Sequence, residues 1–199
     1  FHVNMNRTIS VDELTAILIE EYGYTIKELI FSEQEQLGDL RSIFVPKRKT
    51  LLLSLDIDEA QKAFILAKEI AYNYLKIKER LYTFSWIKFD NFDQVLNNFY
   101  ASYFAGALLI PRQLLIDKLD VFLSKTDPKT EEMIELMGAF NASPESFYQR
   151  LTNILPKDFQ LKNLFFLRLS HQIGSDTYQI KKELHITNQQ EPHANEMNE

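Results

Sequence analysis

Apolar residues recur at helical spacing over most of this chain and gather into short strand-like runs in only two places, so the pattern predicts a mostly helical protein with a small sheet. Leu14, Ile17 and Leu18 share one helical face behind Ser10, which with Glu13 forms a capping-box signature. That first helix is expected to end near Gly23, and residues 24–31 carry no clear period. The stretch IFVPKRKTLLLSL (43–55) reads as two short strands around a KRK turn, with Pro46 placing the first at an edge or a strand end. Asp56 and Asp58 supply carboxylates for the start of a long helix to about Lys78. Its apolar positions (Ala60, Ala63, Phe64, Ala67, Ile70, Ala71, Tyr74, Leu75) cover more than half the circumference, which predicts a central helix.

A second strong helix is expected from near Phe92 to Ile110, where Pro111 interrupts it. Val95, Leu96, Phe99, Tyr103 and Phe104 form a stripe read as core, while Ala101, Ala105 and Gly106 would let a neighbouring helix approach. Helices follow at 112–124, at 128–139 behind Asp127-Pro128, and at 141–155 behind Ser143-Pro144. NLFFLRLS (163–170) and TYQIKKELHI (177–186) then read as a hairpin across a turn containing Gly174, and the polar end, 188–199, is expected to be disordered. No internal repeat is present.

Composition narrows the picture. A hydrophobic content of 45% and a charged content of 25% are those of an ordinary globular chain. The 15 Phe and 9 Tyr are expected mostly in the core, with surplus aromatic surface left for a pocket or an oligomer interface, most simply that of a homodimer. A net charge of −6 and a pI near 5.3 do not offer the basic field of a DNA-binding domain. The absence of cysteine excludes disulfides and thiolate metal sites and is compatible with a reducing cytoplasm. No apolar run approaches the roughly 18 residues that span a bilayer, and no signal-peptide pattern opens the chain. The start at Phe1 suggests a fragment of a longer protein.

The chemistry centres on FILAKEIAYNYL (64–75). In an H-E-x-x-H helix, two histidines four residues apart bind zinc and the Glu between them acts as general base. Here those places hold Lys68, Glu69 and Tyr72: the Glu is kept and both ligands are replaced. The four histidines, at 2, 171, 185 and 193, contain no such pair. No metal and no cofactor are therefore expected. Lys68 and Tyr72 share a face with Phe64 and Leu75. They read either as an ammonium and a phenol anchoring an anionic ligand, or, more plainly, as a lysine snorkelling from the core rim and a packed tyrosine. Glu69 reads as a solvated or capping carboxylate, because adjacent helical residues such as Lys68 and Glu69 do not face one another.

Several segments in register resemble the ImmA/IrrE-type metallopeptidase-like domains, particularly those of short-chain fatty acyl transcriptional regulators of the XRE class. FILAKEIAYNYL resembles the family's F-x-L-A-H-E/Q-L frame, and YASYFAGALLIP (100–111) its A-N-x-F-A-A-x-L-L-M-P motif, with Ser102 where Asn is usual. FNASPESFYQRLTNI (140–154) and FFLRLS (165–170) resemble F-x-A-S-x-E-x-V-x-x-R-L-T-x-L and F-F-x-R-V-D. The resemblance implies an α+β, mostly helical zincin-like fold with a small sheet and a C-terminal hairpin. It divides the chain into a degenerate metallopeptidase-like domain (1–160), a hairpin of the sensor region (161–187) and a tail (188–199).

Peptidase members of the family take a third ligand from a carboxylate just ahead of A-N-x-F-A; here Leu96, Asn97, Asn98, Phe99 and Tyr100 offer none. The longer regulators carry a cysteine-containing region after the F-F-x-R strand, which this chain lacks. The resemblance thus implies a cytoplasmic, catalytically inactive sensor domain that binds an acyl-coenzyme A-type metabolite and meets DNA only through an N-terminal helix-turn-helix absent from these residues. Arg112, Arg150 and Arg168, beside the family-like segments, suit coenzyme A phosphates, with surface or structural ion pairs as the plainer reading. Tyr103 is a candidate pocket residue, and the KRK turn at 47–49 is either solvated or near DNA phosphates. An active peptidase cleaving a repressor and an interaction module without a small ligand are the alternatives.

Overall fold

The computed structural model describes residues 6–32, 40–84, 91–161, 163–171, 174 and 176–187; the expected tail and the histidines at 2 and 193 lie outside them. The fold is α+β and mostly helical, with a small sheet and a C-terminal hairpin. Two compact units are present, 1–147 and 148–199.

In the first unit, helix α1 (Val11–Glu20) carries the expected capping box, with Ser10 accepting from the Glu13 N–H and the Glu13 carboxylate from the Ser10 N–H. Arg7 adds an ion pair that, together with these bonds, lowers the exposed Glu13 carboxyl to about 2. Gly23, with φ of 70°, turns the chain into strand β1 (Thr25–Leu29). Strands β2 (Ser42–Val45) and β3 (Thr50–Ser54) flank a single 3-10 turn over Pro46–Arg48, which fulfils the two-strand reading and puts Pro46 at a strand end. Lys49 of the KRK turn donates to the Tyr22 carbonyl. The sheet runs β1-β3-β2-β4, where β4 is Thr83–Phe84; β1 lies parallel to β3, and β2 lies antiparallel to both β3 and β4. Leu51 and Leu53 on β3 are fully buried, so one face of this sheet meets the core.

Helix α2 (Glu59–Tyr74) is capped by Asp58 and is the central helix that the pattern predicted, with every residue from Ile65 to Tyr72 buried. It ends four residues before the expected Lys78, which leaves Tyr74 and Leu75 outside the core at 53% and 43% exposure. Helix α2 packs between α1 and α3 (Phe92–Leu109). The contact on α3 uses the small residues: Ala101 is buried against Ala71 and Tyr72, and Ala105 is fully buried. That choice splits the expected core stripe: Phe104 packs on Ala71, Tyr72 and Ala101 as expected, and Leu96 is half-buried. With the alanine face inward, Val95, Phe99, Tyr100 and Tyr103 turn outward and are 39–56% exposed, with Phe99 stacked on Tyr103 at 6.3 Å. Across the described residues nine Phe and Tyr are exposed and five are buried, so the expectation of a mostly interior aromatic set is corrected.

Helices α4 (Arg112–Leu123) and α5 (Thr130–Gly138) complete the first unit's helices; α5 starts two residues later than Pro128 predicted, with the Lys129 N–H held by Glu132. Helix α6 (Pro144–Asp158) opens as expected, the Ser143 hydroxyl accepting from the Ser146 N–H, and it carries the chain into the second unit. There β5 (Asn163–His171) and β6 (Tyr178–Thr187) form the predicted antiparallel hairpin, with an irregularity after Arg168. Among the described residues no single helix is long and apolar enough to cross a membrane.

Candidate functional site: a filled metal frame

The inward face of α2 presents Lys68, Glu69 and Tyr72, which are 5%, 6% and 4% exposed. Glu69 is therefore not the solvated or capping group that the sequence suggested. Arg80 Nη2 donates to both of its carboxylate oxygens, at 2.5 and 2.6 Å, and the Tyr24 hydroxyl donates to Oε2 at 2.9 Å. Asn73 donates in turn to the Tyr24 hydroxyl at 2.8 Å and to the Glu69 carbonyl at 2.7 Å. An isolated buried carboxylate is prohibitively costly, so the cation and the ring of donors are conditions for its being there.

Arg80 reaches this position because of how α2 ends. Leu75 caps the helix, and Lys76 takes the left-handed conformation with φ of 56°. The Lys76 N–H bonds the Asn73 carbonyl and the Ile77 N–H bonds the Tyr72 carbonyl, the bond pair of a Schellman motif. Ile77 then packs on Tyr72 and Ala71, the hydrophobic contact that accompanies this motif, and the chain doubles back along α2. The Arg80 guanidinium lies 4.2 Å from the Tyr72 ring centre and 4.3 Å from that of Phe44 on β2, with Tyr82 at 5.8 Å. Such faces attract a cation without hydrogen bonding it. Burial works against the Arg80 charge, but Glu69 outweighs it and holds the guanidinium above its ordinary pKa. Because a non-glycine residue in the left-handed region costs about 1–2 kcal/mol, Lys76→Gly is expected to stabilise the protein by about 1 kcal/mol, visible as a higher urea midpoint.

Lys68 turns towards α3. Its ammonium donates to Asn98 Oδ1 at 2.5 Å and lies 5.9 Å from the Tyr72 ring centre. Burial, and secondarily Arg80, bring its pKa down to about 8 against the opposing pull of Glu69. The neighbouring Asn97 donates to the Glu79 carbonyl at 2.8 Å, tying α3 to the residue before Arg80. Burial also pushes the Tyr24 phenol up to about 12 and the Tyr72 phenol higher still.

The sequence profile of the IrrE N-terminal-like domain family matches residues 20–152. The chain belongs to this family. Among solved structures, a Mycobacterium tuberculosis transcriptional regulator superposes with a TM-score of 0.59 at 18% identity, over 92% of this chain and 52% of that one. The likeness is one of fold, and this IrrE-like chain spans about half the length of that regulator. A search of curated proteins finds no match.

The donor set of this IrrE-like site does not fit the zinc ion that a peptidase of the family would use. At neutral pH Lys68 is still an ammonium and repels a dication. The Tyr72 phenolate, the form that could bind metal, is disfavoured by burial. Asn98, which meets Lys68, offers an amide oxygen and no charge, and both Glu69 oxygens are engaged by Arg80. Among the described residues no group of three or more His, Cys, Asp or Glu could hold a metal ion.

Of the residues singled out from sequence, Lys68, Glu69 and Tyr72 come together. Tyr103 does not join them: it sits on the outward face of α3, 49% exposed. Arg112 is exposed at the start of α4; in the second unit Arg150 is buried on α6 and Arg168 is exposed on β5. His171 is exposed on β5 and His185 lies on β6. Tyr24, Asn73, Arg80 and Asn98 were missed. A carboxylate between Ala67 and Ile70 on an inward helix face was the available signal, since it requires a cation other than its helical neighbour.

Proposed function

We propose that this chain is a non-catalytic, ligand-sensing and oligomerising domain of a cytoplasmic transcriptional regulator, built on a peptidase frame. The observation that carries the non-catalytic half is the Glu69–Arg80 pair: the carboxylate that would activate water is bonded through both oxygens to an internal cation. The sensing half is supported by the likeness to the acyl-responsive regulators and by a fold shared with a transcriptional regulator. The ligand is an acyl-coenzyme A-type metabolite, with Arg112 of the first unit, or Arg150 and Arg168 of the second, as candidates for its phosphates; Lys68 and Tyr72, turned into the core, and Tyr103, on the outward face of α3, are weaker candidates. DNA binding, on this reading, falls to a helix-turn-helix segment outside these residues. An effector of this kind acts by binding one arrangement of the oligomer more tightly than another.

Native mass spectrometry with coenzyme A and acyl-coenzyme A esters from acetyl to octanoyl tests this. A one-to-one adduct is expected, weakened about tenfold by Arg150→Met or Arg168→Met if either holds a phosphate. No adduct with any ester at millimolar concentration sinks the sensing half. The outward aromatic face of α3, with Phe92 at 74% exposure, favours a second reading as a purely structural interaction module. That reading predicts a ligand-free dimer.

A further inference from the structure

We propose that Arg80 stands where the frame would otherwise keep a metal, and that its pair with Glu69 is an internal strap fastening residues 75–84 across α2. Five observations converge on this. The strap begins at a helix end of defined geometry, the Lys76 turn with Ile77 packed on Tyr72. It is pinned by a charge pair with side-chain exposures of 6% and 8%, too buried to be a surface ion pair. Its cation lies against rings from three separate places, Tyr72 on α2, Phe44 on β2 and Tyr82 ahead of β4, so one side chain joins helix and sheet. Its far end is stitched into the sheet by the Phe44 N–H bonding the Tyr82 carbonyl at 2.7 Å. Asn97 holds the Glu79 carbonyl from the α3 side.

The direction of the Arg80 donors separates a fastening from a ligand site. Arg80 Nε is buried without a hydrogen-bond partner among the described residues, and the aromatic rings at about 4 Å supply its surroundings. A guanidinium built to receive an anion turns its donors outward; this one turns Nη2 onto both Glu69 oxygens and is wrapped by rings. The consequence is mechanical. The segment after α2 is held by electrostatics where a peptidase of this frame would hold a metal, and loosening Arg80 frees the β2–β4 edge from the helix. The inference does not depend on which ligand the domain senses.

Hydrogen–deuterium exchange on the full chain tests it, using Arg80→Lys, which keeps the charge and loses the planar guanidinium lying against the Phe44 and Tyr72 rings, beside Arg80→Met. Residues 75–84 and 42–45 are expected to exchange at least tenfold faster in Arg80→Lys, while the β5–β6 hairpin is unchanged. Exchange at residues 75–84 that does not change in either variant, or that rises equally across the whole chain, overturns the strap. The metal arm uses zinc alone: the parent chain is expected to retain none after dialysis. One equivalent retained by the parent overturns the replacement of the metal by Arg80, whatever the acyl-coenzyme A experiment shows.

Discussion

Arg80→Met is expected to lower the free energy of unfolding by about 3–5 kcal/mol, the usual cost of stranding one member of a buried ion pair. The stranded member is Glu69, 6% exposed, left with the Tyr24 hydroxyl as its donor among the contacts described above. Glu69→Leu is expected to cost a similar amount, because it leaves the Arg80 guanidinium among rings with no counter-ion. The double variant Glu69→Leu/Arg80→Met should recover most of the loss and finish within about 2 kcal/mol of the parent, since a buried pair and a hydrophobic replacement of similar volume are often close in energy. Some deficit is expected to persist, because the Tyr24 hydroxyl then loses its acceptor. Urea denaturation of all four proteins closes the cycle. Coupling below about 1 kcal/mol would mean that Arg80 and Glu69 are neighbours without being partners.

How much of this was legible in the sequence follows from how local each feature is. Ser10 with Glu13, Asp58 and Ser143 with Pro144 announced helix starts correctly, because a cap is a bond between a side chain and a backbone group three residues on. The hairpin was visible because two strand-like segments, 163–170 and 177–186, flank a single short turn containing Gly174. Strand β1 was not legible. Its partner β3 is 25 residues away, and Lys27 and Glu28 are exposed, so the segment shows no buried period. Strand β4 is two residues long and exists only through β2.

The site divides along the same line. The helical frame of Lys68, Glu69 and Tyr72 could be aligned because spacing within one helix can be read whatever residues stand at the ligand places. Arg80 could not, because it meets Glu69 only after a left-handed turn at a lysine, a residue that does not announce such a turn as glycine would. The outward turn of Tyr100 and Tyr103 was hidden for a different reason. On α3 both the alanine and the aromatic stripes are apolar, and period alone cannot tell which one a neighbouring helix accepts; the close approach to α2 selects the alanines.

Stability should rise as pH is raised from 8 to 10, and Lys68→Met should abolish most of that rise. The folded protein holds Lys68 near 8, chiefly through burial, whereas the unfolded chain titrates it near 10.5. Between those values the unfolded state binds the extra proton, so removing protons favours the fold. Below pH 8 both states are protonated and the folded protein carries the full cost of the buried ammonium, about 3 kcal/mol. Raising the pH to 10 relieves about 2 kcal/mol of it. Above pH 10 the sign changes. Tyr24, held near 12, and Tyr72, raised further, keep their protons in the folded state after the unfolded chain has released them, and stability falls again. Urea midpoints for the parent and Lys68→Met at pH 7, 8, 9 and 10 separate these contributions. A parent curve that is flat or falls across that range would place the Lys68 ammonium in a solvated setting, and with it would go the claim that this frame cannot accept a dication.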